Sequence, residues 1–439
     1  MAVANKGAKK GTKRADRWVG DAENNTFSGL GGDDYCDGGK GKDNVDGGSG
    51  DDTIKGGAGN DKLLGGKGDD TIDGGAGNDR IDGGSGDDTI NGGSGNDTIN
   101  GGAGDDNING GSGRDEIDGG DGNDLVAGGT GDDIMIGGKG IDTLFWGDGD
   151  GSDIISGGED RDTVVAVGDA AKGDNLVLGS DASDKAIFDR VGKDGQPIAQ
   201  IRLTVDTVEV FDVRGEGGND TFEIQDLTGT GVEEILFLGG EGNDILDARA
   251  TSTHVTADGG AGDDVLIGGT GTIVNPNNVT LGDTLTGGAG KDTFQFSTDP
   301  FANGNPAQNL NQPDVITDYE QGKDRIVFDP KASGVDVLKF QKGDSTKLAG
   351  DSNMLVLTDG FANAAAAAAA IAVNDKITAG KGFFSYFNTT LGISRVVFSN
   401  DLGKGGTISV QANLNNLTEL ADQNNFAAAD FVVGDFGLA

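Results

Sequence analysis

The sequence predicts an all-β chain built around a flattened coil of stacked, short parallel strands. Three observations predict it. Between Gly29 and Phe145 one nine-residue unit, such as Gly83-Gly84-Ser85-Gly86-Asp87-Asp88-Thr89-Ile90-Asn91, repeats thirteen times without losing frame. Positions 1 and 4 are Gly and position 6 is Asp in every copy, while position 8 is always apolar, from Cys36 and Val45 to Met135 and Leu144. Position 5 alternates with period 18: Asp33, Asp51, Asp69, Asp87 and Asp105 interleave with Lys42, Asn60, Asn78, Asn96 and Arg114.

Each part of the unit has a physical reading. Gly-Gly-x-Gly curls tightly because glycine reaches φ > 0 without penalty. The curl turns carbonyl oxygens inward, and the position-6 carboxylate joins them. The last three residues, such as Thr89-Ile90-Asn91, alternate polar-apolar-polar like a short strand. We therefore expect six turn residues and three strand residues per unit. One unit reverses the chain, and two units close an eighteen-residue coil with one edge more acidic than the other. Thirteen units make about six and a half coils, roughly 30 Å long at strand spacing. Stacked aspartates without a counterion would repel. Carbonyl and carboxylate oxygens are hard ligands suited to Ca²⁺, and a block this long offers on the order of eleven sites.

Composition agrees. The 439 residues include 84 glycines, 5% aromatics and a net charge of −41, so an ordinary apolar core cannot fill the chain. The acidity excludes nucleic acid as a partner and favours multivalent cations. One cysteine, Cys36, excludes an internal disulfide framework. One histidine, His254, excludes multi-histidine zinc sites. A flexible Gly/Asp linker would not place an apolar residue at every ninth position.

These residues closely resemble the RTX family of calcium-binding nonapeptide repeats, over at least residues 20–165 and 215–295. The resemblance implies a right-handed parallel β-roll, Ca²⁺ as cofactor with on the order of ten or more ions, and a secreted bacterial protein. The candidate metal ligands are Asp34, Asp43, Asp52, Asp61, Asp70, Asp79, Asp88, Asp97, Asp106, Asp115, Asp124, Asp133 and Asp142 in the strict frame. Asp153, Asp162, Asp220, Asp244, Asp264, Asp283 and Asp292 join them where the frame loosens.

Taken in order, residues 1–19 form a basic N-terminal arm, with six Lys/Arg and one Asp in the first seventeen positions. It is a candidate contact for an anionic cell-surface polysaccharide. The first roll spans 20–165 and opens with a degenerate copy in which Asn25 and Phe27 take the Asp and apolar slots. Towards its end the outward strand positions turn apolar at Leu125, Ala127, Ile134, Ile136 and Phe145, followed by Trp146. Such a stripe predicts that the next segment packs on it. The frame then slips by two residues to Asp153 and Asp162. Residues 166–214 read as an antiparallel β-strand insertion, with a turn at Lys193-Asp194-Gly195.

A second, interrupted roll spans 215–295, in copies beginning at Gly215, Gly239, Gly259 and Gly287. Residues 296–439 form a mostly β C-terminal capping region. Within it, Asp314-Val-Ile-Thr-Asp318 through Phe328 resembles the segment that closes the roll in serralysin-type C-terminal domains. Phe361–Val373 is the best helix candidate, because alanine is the strongest helix former. Leu417 through Val433 resembles an uncleaved type I secretion signal, although Gly434–Ala439 follow it.

No HExxH, G-x-S-x-G or Gly-Lys-Ser/Thr pattern occurs, so the sequence is read as that of a non-enzyme. His254 and Cys36 are read as packing residues. No secretory signal peptide follows the N-terminus, and the run Ala364–Val373 is too short to span a bilayer. The expected function is that of an extracellular calcium-binding protein, exported by type I secretion machinery and folding on Ca²⁺ outside the cell. With about nineteen residues before the repeats, the roll itself is expected to be the working part. A structural role in a surface layer or extracellular matrix, with self-assembly, fits best. The alternative is a calcium-dependent adhesin or carbohydrate-binding protein, and a secreted enzyme is the remaining reading.

Overall fold

The computed structural model describes residues 8–147, 149–191, 197–270, 273–274, 280–296, 313–404 and 407–433. These form two compact units. One holds the chain up to Gly168 with 180–213 and 229–232; the other holds 169–179, 214–228 and the chain from Glu233. Strands make up 51% of the residues and helices 5%, so the chain is all-β.

In the first unit each copy lays down one parallel strand, and strands pair with those eighteen residues away. Ile72, Ile90 and Ile108 are successive rungs of one sheet, and Ile81, Ile99 and Ile117 of the other. The two files of aliphatic side chains face inward and are buried. This is a parallel β-roll with the eighteen-residue coil that position 5 predicted.

The division of the unit differs from expectation. Strands such as Thr89–Ser94 are six residues long and run on through Gly-Gly-x of the next copy. Only Gly-x-Asp is left for the turn. The extra pairing is possible because the second glycine adopts a conformation closed to other residues, as at Gly84 with φ 115°; the turn glycine Gly86, φ 123°, does the same. The first glycine points inward, beside the aspartate.

The basic arm is shorter than drawn. Ala8–Lys10 pairs with Thr26–Ser28, and Arg17–Val19 with Tyr35–Asp37. Residues 11–19 form a copy with Gly11, Asp16 and Trp18 at positions 1, 6 and 8. Thr12 and Arg14 stand where the motif has glycine, which hid it. Residues 1–7 lie outside the described set.

After the two-residue slip, the chain leaves the roll and returns to it. Within 180–213 one pair is antiparallel, Ala186–Val191 with Pro197–Asp206, while Pro197–Asp206 also extends the roll in parallel beside Ile154–Glu159. The insertion is therefore a continuation of the roll carrying one antiparallel strand. The turn expected at Lys193-Asp194-Gly195 lies outside the described residues. The apolar stripe is covered in part only. Trp146 is buried edge-on against Phe188, which neighbours Phe211. Leu125, Ile136 and Ile154 stay 39–50% exposed. The return strand meets the sheet edge at Ile154↔Thr204 and does not lie across its face.

The second unit has a coil of its own, with longer and unequal spacing. Asn175–Ser180, Thr221–Ile224, Ile245–Asp247, Val265–Ile267, Thr293–Phe296, Arg325–Phe328 and Phe431–Val433 succeed one another in parallel. The segment resembling a secretion signal thus supplies the last strand. Beyond the coil, Gly382–Asn388, Ile393–Ser399 and Ile408–Leu414 pair antiparallel. The helix Ala364–Ala372 buries Ala364, Ala367 and Ile371 against Leu355, Leu357, Phe384 and Tyr386.

Candidate metal centre

Inside one turn the geometry follows from the position-1 glycine and the position-6 aspartate. Asp88 is buried at 1% exposure. Its backbone N–H donates to Asp106 Oδ1 at 2.8 Å, and its own Oδ1 accepts from the Asp70 N–H at 2.7 Å. Each position-6 aspartate thereby fixes the next. The rungs form two files, Asp34 to Asp162 along one edge and Asn25, Asp43 to Asp153 along the other.

This ladder uses one carboxylate oxygen and leaves the other. Oδ2 of Asp88, and of its counterparts from Asp34 to Asp162, is buried with no hydrogen-bond partner. A methyl group on Gly83 would sit 2.4 Å from Asp88 Oδ2 and 2.5 Å from the Gly101 carbonyl oxygen. Glycine thus clears a space on which a carboxylate of one coil and a carbonyl of the next converge. Any side chain there would clash with both oxygens, so only glycine lets this carboxylate and carbonyl converge, and oxygens of these two kinds are the ligands Ca²⁺ takes. The second unit repeats the cradle: a methyl on Gly239 would lie 2.4 Å from both Asp244 Oδ2 and the Gly259 carbonyl oxygen. The donor set is carbonyl-rich, and among the described residues no three acidic, thiol or imidazole side chains converge. That composition fits a hard cation and not a soft one.

Position 5 runs a second ladder in the opposite sense. The Asp69 N–H donates to Asp51 Oδ1 at 3.0 Å, and the Asn96 N–H to Asn78 Oδ1 at 3.0 Å. One edge therefore carries two carboxylates per coil and the other mostly one.

Burial is the first cause of the electrostatics. It raises the Asp70, Asp106 and Asp142 carboxyls to about 7, against the lowering effect of the N–H each accepts; neighbouring carboxylates raise them further. Asp43, Asp52, Asp79, Asp88, Asp115, Asp124, Asp133 and Asp162 are raised to about 6. Asp153, where the frame slips, is raised to about 8. Buried carboxylates held this way need a countercharge to stay ionised.

All twenty candidate aspartates are buried at 3% exposure or less. Fifteen lie in the two files of the first unit. Asp220, Asp244, Asp264 and Asp292 form a third file by N–H to Oδ1 bonds, and Asp283 stands apart from it. Four aspartates of these ladders went unread: Asp16 donates its N–H to Asp34 Oδ1 at the head of the first file, and, in the second unit, Asp174 precedes Asp220, Asp324 follows Asp292, and Asp314 accepts from the Asp283 N–H. Burial and the adjacent Asp283 hold the Asp314 carboxyl well above its usual range. Each of the four has an apolar residue two positions on, Trp18, Leu176, Ile326 and Ile316, which is the trace of the motif once its glycines are gone. Cys36 is buried in the apolar file with its thiol pushed up by burial, and His254 is buried at 5% exposure.

Comparison with known proteins agrees with this geometry. The family model of the RTX calcium-binding nonapeptide repeat matches residues 11–45, 46–81, 82–117, 109–144 and 148–168. That of the peptidase M10 serralysin C terminal matches residues 201–379. No curated protein matches the chain. The second match is to a non-catalytic secretion and folding region. Together the two imply a type I secretion substrate found outside the cell. The chain thus carries RTX calcium-binding nonapeptide repeats and a serralysin-like C-terminal region.

Proposed function

We propose that this is a non-enzymatic extracellular scaffold whose roll forms on Ca²⁺ outside the cell, as part of a surface layer or matrix. The observation that carries the reading is the ladder of buried aspartates with partnerless Oδ2 atoms, each facing a carbonyl of the next coil. The candidate aspartates from Asp34 to Asp292 would hold the ions, together with the position-1 carbonyls, except Asp283, whose two oxygens both accept backbone N–H groups, from Val255 and Gly269. Calcium, when bound, supplies the positive charge between coils that the carboxylates lack. The chain's own residues do the rest. The N–H ladders orient every carboxylate, the glycines keep the cradles open, and the aliphatic files exclude water. Each site at tenfold its Kd would add about 1.4 kcal/mol by linkage, so many weak sites together equal a domain's stability.

The regularity of the two sheets supports a scaffold. Calcium titration followed by circular dichroism and light scattering tests both parts. Coil-to-sheet conversion with growth of assemblies is the expected outcome. A spectrum unchanged up to 10 mM Ca²⁺, well above the affinity range of extracellular modules, overturns the folding part. A folded, strictly monomeric product overturns the scaffold part.

A further inference from the structure

Where the first file of aspartates ends, the chain builds a cradle without the glycine motif. Asp162 is fully buried, and its Oδ2 has no hydrogen-bond partner. Its N–H donates at 2.9 Å, as in every other rung, but the acceptor is Glu209 Oε2. The backbone register continues as well, since the Val210 N–H donates to the Asp162 carbonyl at 3.0 Å. A methyl group on Gly157 would lie 2.3 Å from Asp162 Oδ2 and 2.1 Å from the Thr207 carbonyl oxygen. In the preceding rung the corresponding carbonyl belongs to Gly157 itself, 2.5 Å from a methyl on Gly137.

Thr207 therefore stands at position 1 of a further coil and Glu209 at position 6, two residues apart where the motif has five. Two features make the short cut possible. Thr207 adopts the left-handed conformation, φ 49°, which tightens the turn. Its hydroxyl bonds the Ser156 hydroxyl and accepts from the Gly158 N–H, both at 3.0 Å. Glutamate's extra methylene spans what the shortened turn omits. The other file ends differently: Ile154 pairs with Thr204, so buried Leu203 takes the slot after Asp153 and brings no carboxylate.

We propose that Asp162 Oδ2, the Thr207 carbonyl and the Glu209 carboxylate form a terminal calcium site that fastens the returning segment 204–213 to the roll. This rests on the reading that the aspartate ladders hold calcium. Glu209→Gln keeps the hydrogen-bond acceptor and removes the charge, so it separates a ligand from a cap. Native mass spectrometry of the full chain at saturating calcium should count one ion fewer in E209Q than in wild type. Amides of 204–213 should exchange about tenfold faster, with 71–117 unchanged. Thr207→Ala keeps the carbonyl and should keep the ion. An unchanged ion count and unchanged exchange in E209Q would overturn the site while leaving the calcium reading intact. Wild type that binds no calcium would overturn both. If E209Q does not fold, wild type still decides: protection of 204–213 in chelator overturns the proposal.

Discussion

The roll and the C-terminal sheet solve the same problem with opposite means. In the strict copies each nine residues bury one aliphatic side chain, such as Ile90 or Ile99, and one carboxylate. Around the helix Ala364–Ala372, by contrast, Leu355, Leu357, Phe384, Tyr386, Val397 and Val410 pack together without a buried charge among them. One buried aliphatic side chain contributes about 1.5–3 kcal/mol, far less than the cost of ordering nine residues. On the proposed reading the roll's stability is conditional on a cation, whereas the aromatic sheet is expected to carry its own. The chain would then divide the sensing of its surroundings from the holding of its shape.

The sharpest way to break the comparison is to remove calcium. With chelator, amides of 35–139 should exchange at near-unfolded rates, while those of 354–358 and 383–398 keep measurable protection. Hydrogen exchange with mass readout checks this. Equal loss in both regions would show that the aromatic sheet also depends on the ion.

A second test uses protons in place of calcium. The folded-state carboxyls of Asp70, Asp106 and Asp142 are raised to about 7 and that of Asp153 to about 8, above the unfolded value of about 3.9. The folded form thus binds more protons than the unfolded one. The stabilisation is full below the unfolded value and is lost as pH rises through 6 to 8. Ion-free protein should gain β-structure on acidification from pH 8 to pH 5, with no comparable change in the aromatic sheet. Calcium must displace those protons. Its midpoint should rise about tenfold for each pH unit of acidification and each proton released per ion. A calcium midpoint independent of pH would contradict the burial of these groups.

How much of this was legible depends on what the repeat spells out. Position 6 is invariant because one carboxylate makes both a rung and a cradle, so the strict aspartates could be read from spacing alone. Strand length could not. Gly-Gly-x looks like a turn by propensity, and only the pairing of Gly93 with Gly75 and Gly111 shows it inside the sheet. Asp174, Asp314 and Asp324 were hidden because the loops before them lack Gly-Gly-x-Gly, leaving Asp-x-apolar as the whole signal. Glu209 has less still: its role comes from a contact 47 residues distant. The helix was visible in its alanines, yet Phe361 closes the strand Met354–Phe361 before the helix begins.

A smaller, local effect sharpens the account of the roll. Gly83→Ala places a methyl between Asp88 Oδ2 and the Gly101 carbonyl, where the cradle lies. It should abolish one ion and cost about 1–3 kcal/mol of calcium-loaded stability, the usual penalty for overpacking. Ser85→Ala, at the exposed end of the same strand, should do neither. Calorimetric titration with both variants checks the pair. A Gly83→Ala protein that keeps its ion would move the site away from position 1.

The smallest effect belongs to the other region. Asn363 caps the helix, its side chain accepting from the Ala366 N–H at 2.9 Å. Asn363→Ala removes that acceptor and should cost about 1 kcal/mol. If the aromatic sheet stands by itself, this loss appears as the same shift in urea midpoint with calcium and with chelator. The roll's own transition should not move. A loss seen only with calcium would mean that the helix is held through the roll, and the division between the two regions would then be one of composition and not of stability.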